Sequence, residues 1–209
     1  LESSPTFRRW AAIGTLAAVL EQKVWLQTSS PLYPNLYIFL VGHPGVGKTR
    51  TIRVASAFLR EIPDFYLSPT SMSAAALVDA LVHAKRSLIR LPDPPMEYNS
   101  MMICADELSA FMHKFDDEMI GNLMTFYDVD VYGHKRRGKE IDIKIKHPQL
   151  SILSGTTPSN LLNFMPENAW DHGFTSRVIM VFSDERIISD DIFAFQQRGL
   201  PDPMLHDLR

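Results

Sequence analysis

Cysteine is nearly absent from this sequence: Cys104 stands alone, inside an apolar run. One cysteine excludes an intrachain disulfide framework, and a reducing cytoplasm is the natural setting. Long apolar runs are missing too. The longest near the amino end, Trp10 to Leu20, is interrupted by Glu21 and Lys23 and falls short of the ~20 residues a membrane span requires. Arg8-Arg9 precede it, but no small-residue cleavage site follows, which argues against a secretion signal and for an amphipathic helix. Net charge is only −3, so the surface is not coated with nucleic-acid-binding charge, although this leaves room for one local basic element. His83, His113 and His172 have no metal-ligand spacing and no cysteine pair beside them, which leaves no zinc site. Neither internal repeats nor low-complexity tracts occur.

What is present suffices for one full core: 209 residues, 45% of them apolar. The chain opens on Leu1 and not Met, as an excised piece of something larger would. Residues 1–30 read as an N-terminal helical appendage and 31–209 as the main domain. Ser3-Ser4-Pro5 offers a helix cap followed by an early proline, and Trp10, Ile13, Ala17, Leu20 and Val24 recur on one helical face. After a proline-containing linker from Ser29 to Asn35, Leu36 to Val41 is a continuous apolar run suited to a strand buried on both faces. A glycine-rich loop and a helix from about Lys48 to Arg60 follow. Phe65-Tyr66-Leu67 reads as a short strand. Ser71 or Ser73 caps a helix with Leu77, Leu81, Ala84 and Leu88 as its buried stripe. Leu91 to Asn99 is an exposed connection, Met101 to Ala105 a buried strand, and Leu108 to Tyr127 helical. Leu150 to Leu153 and Val178 to Phe182 complete the strands. Strands alternating with helices predict an α/β fold of three layers, a mostly parallel sheet with helices on both faces.

The decisive motif is Gly42-His43-Pro44-Gly45-Val46-Gly47-Lys48-Thr49, which fits the phosphate-binding pattern of glycine, four residues, then Gly-Lys-Ser/Thr. Glycines let the backbone curl so that successive N–H groups face phosphate oxygens, and the following helix adds its positive end. Lys48 is expected to reach the β- and γ-phosphates of ATP and the Thr49 hydroxyl to hold Mg2+, with Arg50 next in the nucleotide-binding set. His43 occupies a variable loop position. Asp106-Glu107, at the end of the Met101–Ala105 strand, supply the complementary acids: Asp106 to hold magnesium through water, Glu107 to orient and deprotonate the attacking water. Glu107 also speaks against a kinase. Thr157, at the end of another strand, is placed to touch the γ-phosphate or the water, against the simpler reading of a strand-end turn. Arg177 is a candidate to neutralise charge on a neighbouring subunit's nucleotide, against the simpler reading of an arginine paired within its own fold.

A basic element follows. Ile141, Ile143 and Ile145 alternate with Asp142, Lys144 and Lys146, a period of two, and His134, Lys135, Arg136, Arg137 and Lys139 lie just before. Together they predict an inserted β-hairpin with a charged tip. Lys135, Arg136, Arg137, Lys139, Lys144 and Lys146 are its candidate nucleic-acid contacts, against the plainer reading of a solvated face.

With these motifs in place, the chain resembles the P-loop ATPase domain of phage- and prophage-type replicative helicases, including the helicase portions of primase–helicase proteins in mobile elements. The likeness runs through Phe7-Arg8-Arg9-Trp10, Tyr33-Pro34-Asn35-Leu36, the glycine loop, Asp106-Glu107, Gly155-Thr156-Thr157-Pro158 and Gly173-Phe174-Thr175-Ser176-Arg177. The resemblance implies a P-loop NTPase core, RecA-like or AAA+-like, working as a hexameric ring that moves on single-stranded DNA, with residues Tyr132 to Lys146 lining the pore. Few residues follow Phe182, so the helical lid of a typical AAA+ protein is not evident and a RecA-like or superfamily-3-like core fits as well. No primase-type metal motif is present. The competing expectation is an ATP-switched helicase loader or DNA-packaging accessory acting through protein partners.

Overall fold

The computed structural model describes residues 2–89, 91–92, 94–112, 116–135, 142–164 and 173–187. In chain order they form α1 (Pro5–Leu20), β1 (Leu26–Gln27), β2 (Pro31–Leu32), β3 (Tyr37–Val41), α2 (Lys48–Arg60), α3 (Ala74–His83), β4 (Lys85–Leu88), β5 (Met96–Ala105), α4 (Asp117–Tyr127), β6 (Tyr132–Lys135), β7 (Asp142–Ile145), β8 (Pro148–Thr156), α5 (Pro158–Phe164) and β9 (Val178–Phe182). Five strands make one mixed sheet in the order β4-β5-β8-β3-β9, parallel throughout except for β4. Side chains alternate across it. Ile38, Leu40, Met102, Cys104 and Leu153 join Phe7, Ala11, Ile52 and Leu59 from α1 and α2 in one cluster. Tyr37, Phe39, Met101, Ile103 and Ile152 join Leu77, Leu81, Leu123 and Phe126 from α3 and α4 in another. An apolar run without polar alternation is what a strand covered on both faces requires. The architecture is α/β, with helices around a mostly parallel sheet.

Helix α1 begins where the cap predicts, the Ser4 hydroxyl accepting from the Thr6 N–H at 3.3 Å. Its buried face differs from the expected one. Phe7, Ala11, Gly14, Ala17 and Ala18 face inward, whereas Ile13, Leu20 and Val24 are exposed and Trp10 is half-buried. The reason is close approach: a Cβ added at Gly14 would lie 2.7 Å from Ile38 Cδ1. A helix lying so near the sheet presents its small side chains to it and turns the large ones away. The helix of the N-terminal appendage is seated on the sheet beside α2, with Phe7 fully buried.

Other expectations change in part. Phe65-Tyr66-Leu67 makes only a single parallel bridge, Leu67 to Met102, and no strand. Helix α3, capped by Ser73, ends at His83, so Leu88 lies in a strand and not on a helical stripe. The cause is the length of β5: β8 pairs only with its Asn99–Ala105 portion, and β4 runs antiparallel to Met96–Asn99 and completes the protruding half. That pairing also removes Met96 to Asn99 from the expected exposed connection. The stretch from Leu108 to Tyr127 holds a 3-10 turn, Leu108–Ala110, and then α4.

β6 and β7 form the expected hairpin as a separate two-stranded antiparallel sheet. Ile145 is buried, and Ile143 and Tyr132 pack on the α3–α4 cluster, with Tyr132 5.2 Å from the Phe126 ring. Lys144 and Lys146 point outward and are exposed. Among the described residues no helix is long and apolar enough to cross a membrane.

Candidate active site

Parallel α/β sheets bind ligands beyond the carboxyl ends of their strands, where connections diverge to opposite faces. Here β3 feeds α2 on one face while its neighbour β8 feeds α5, and a cleft of about 950 Å³ opens above them. The loop between β3 and α2 forms its floor. Gly45 and Gly47 have φ of 87° and 84°, the left-handed region that glycine tolerates. Gly47 has a second constraint, because a Cβ there would meet the Glu2 carbonyl oxygen at 2.3 Å. Pro44, Gly45, Gly47, Lys48, Thr49 and Arg50 line the cleft. Val46 does not: its side chain is buried in the core cluster with Phe7 and Ile38, so it can serve a ligand only through its backbone. Gly42 packs where a Cβ would strike the Ser183 carbonyl at 2.4 Å, and His43 is exposed.

Lys48 is buried and curls over the loop, its Nζ donating to the carbonyls of Gly42 at 2.5 Å and His43 at 3.0 Å. Burial pulls its ammonium below the ordinary lysine range, and the nearby Glu107 carboxylate opposes that shift. An anion delivered to the loop would favour the charged form further. Glu107 lines the same cleft and accepts from Asn160 Nδ2 at 3.3 Å. Asp106 sits beside it, its Oδ2 accepting from Arg53 Nε at 2.9 Å and Nη2 at 2.7 Å. Gly155 makes this convergence possible, since a Cβ there would lie 2.7 Å from the Asp106 carbonyl and 3.5 Å from Lys48 Cβ. Thr157 lines the cleft, yet its hydroxyl is engaged as the cap of α5, accepting from the Asn160 N–H at 3.2 Å.

Arg177 is not brought into this cleft. It precedes β9, and Val178 pairs with Tyr37, the first residue of β3. The arginine therefore lies about 16 Å from the loop, one five-residue strand length away. There it holds Asp128 with two bonds, Nε at 3.0 Å and Nη2 at 2.5 Å, and donates to the Gly173 carbonyl at 2.9 Å. The hairpin lies toward the same amino end of the sheet, because β7 runs directly into β8. Lys135 lies in β6, whereas Arg136, Arg137 and Lys139 fall outside the described residues.

The polar cleft residues Glu2, Arg53 and Arg186 have no counterpart in the sequence reading, and neither does Asn160, which reaches the site through its bond to Glu107. Glu2 pairs with Arg50 at 3.5 Å, and Arg186 lies with its Nε 3.7 Å from where a Gly45 Cβ would stand. Arg53 carries a usable signal, standing four residues after Thr49 on the same helix and hence on the same face. Asn160 carries a weaker one, three residues after a capping threonine. Nothing local marks Glu2 or Arg186, which reach the cleft because α1 and the end of β9 are packed beside the loop.

Fold and cleft define an α/β protein with a glycine-loop site at the carboxyl ends of a mostly parallel sheet. No protein-family model matches the chain, and no curated protein matches it significantly.

Proposed function

We propose that the chain is an ATPase with a P-loop NTPase core, working in the cytoplasm as the motor of a ring-forming DNA helicase or translocase. The observation that carries the ATPase reading is the meeting of residues distant in sequence, Lys48 and Thr49 with Glu107, around one cleft, with Asp106 at its edge. The loop's N–H groups and the amino end of α2 are suited to phosphate. Lys48 is the fixed counter-charge for the β- and γ-phosphates. Thr49 and Asp106 are the residues that would hold magnesium. Among the described residues no group of three or more His, Cys, Asp or Glu can hold a metal alone. Magnesium is commonly held by one or two protein groups together with substrate phosphates. When bound, magnesium supplies positive charge where the phosphoryl group transfers. Glu107, steadied by Asn160, orients the attacking water and accepts its proton.

The test uses two variants. Lys48→Ala is expected to abolish hydrolysis, whereas Glu107→Gln keeps ATP binding and loses roughly two or more orders of magnitude in turnover. Near-normal hydrolysis by Lys48→Ala would refute the site. The DNA half of the proposal rests on the resemblance and on the hairpin, whose anchored β7 presents Lys144 outward, with Lys146 exposed just beyond its end. Strand displacement with and without DNA stimulation separates a motor from a loader or packaging accessory, which would hydrolyse ATP without unwinding.

A further inference from the structure

Arg53 stands one turn beyond Thr49 on α2 and lines the cleft. Both of its bonds to Asp106 fall on one oxygen, Oδ2, at 2.9 and 2.7 Å. Its side chain is 73% exposed, against 40% for that of Asp106, so the guanidinium can swing into solvent without disturbing the core. Thr49 and Arg53 share a helical face. A cation held by the Asp106 carboxylate would therefore have the guanidinium as a near neighbour, and like charges at short range repel.

We infer that Arg53 is a positioning residue that holds the Asp106 carboxylate and competes for it with a divalent cation, setting how much magnesium the site demands. The inference rests on the nucleotide-site reading above. An exposed pair of this kind is weak, which bounds its effect on the magnesium midpoint to roughly two- to fivefold. Were Arg53 instead to align Asp106 for the metal, its removal would act in the opposite direction.

The experiment is an equilibrium titration of magnesium into the full chain with a fluorescent ATP analogue, without reference to turnover. Arg53→Gln should lower the half-saturating magnesium concentration about two- to fivefold, and Arg53→Lys, which keeps the charge but not the fork, should fall between it and the parent. In an Asp106→Asn background the Arg53→Gln effect should vanish, because the residue acts through that carboxylate. The ligand-free melting temperature of Arg53→Gln should stay near the parent's. A midpoint that is unchanged or raised, or a shift that persists with Asp106→Asn, overturns the inference while leaving the nucleotide site standing. Failure of the parent chain to bind the analogue at any magnesium concentration overturns both.

Discussion

Replacing Gly47 with alanine tests the loop geometry directly. At φ 84° an alanine is in the left-handed region, at a cost of about 1–2 kcal/mol. The added Cβ would also stand 2.3 Å from the Glu2 carbonyl oxygen, 2.5 Å from Ser3 Cβ and 2.6 Å from Ser3 Cα. None of these is the far end of a flexible side chain. The segment cannot move aside freely either: Ser3 and Ser4 are fully buried, the Ser183 hydroxyl donates to Ser4 Oγ at 2.8 Å, and Glu2 pairs with Arg50. Overpacking of this kind adds about 1–3 kcal/mol. Together the two effects should lower the melting temperature by on the order of 10 °C, at ~2–4 °C per kcal/mol for a domain of this size. Binding of the fluorescent nucleotide should weaken at least about tenfold, since one displaced loop N–H leaves a phosphate oxygen unmatched and each ~1.4 kcal/mol lost is tenfold. Gly121→Ala is the control. It lies inside α4 with nothing within 4 Å of its missing Cβ, so alanine should stabilise by about 0.5–1 kcal/mol. A Gly47→Ala chain that melted with the parent and bound nucleotide equally well would refute the reasoning.

Burial chiefly pushes the Cys104 thiol from its ordinary 9.0 up to about 12. The native chain then keeps a proton that the unfolded chain loses near 9, so stability should fall as pH rises from 9 toward 12; rapid alkylation of the native protein at pH 8 would contradict that burial. Arg177→Ala should bind ATP normally and hydrolyse it poorly, with turnover partly restored by mixing with Lys48→Ala chains. Absence of rescue in demonstrably mixed rings would argue for a role of Arg177 within one subunit, where it holds Asp128 and the Gly173 carbonyl. Replacing Arg136 and Arg137 together should weaken single-strand binding and reduce its salt slope by about 0.7 for each phosphate no longer neutralised, while basal hydrolysis survives; an unchanged slope returns the cluster to a solvated face.

The parts of the molecule that were readable beforehand are those governed by local chemistry. The apolar run before Gly42, the glycine spacing and the helix from Lys48 to Arg60 all depend on residues within a few positions of each other, and β3, the loop and α2 appear with those bounds. Asp106-Glu107 could be placed at a strand end because Met101 to Ala105 must be buried on both faces. The alternation of Ile143 and Ile145 with Lys144 and Lys146 identified the hairpin for the same reason, since a period of two sorts inward from outward side chains whatever the partner is.

Other features depended on distances that no periodicity encodes. A hydrophobic stripe says which residues of α1 are apolar, but only the close approach of the helix to Ile38 decides that Gly14 and three alanines face inward. Leu88 fits a helical stripe as well as a strand. The unpaired half of β5 settles the choice, because its backbone groups need a partner and β4 supplies it. Likewise the pairing of Arg53 with Asp106, of Asn160 with Glu107 and of Arg177 with Asp128 joins residues about fifty positions apart. Their juxtaposition follows from the strand order β5-β8-β3-β9 and from the packing of helices on that sheet, which no local stretch of the chain reveals.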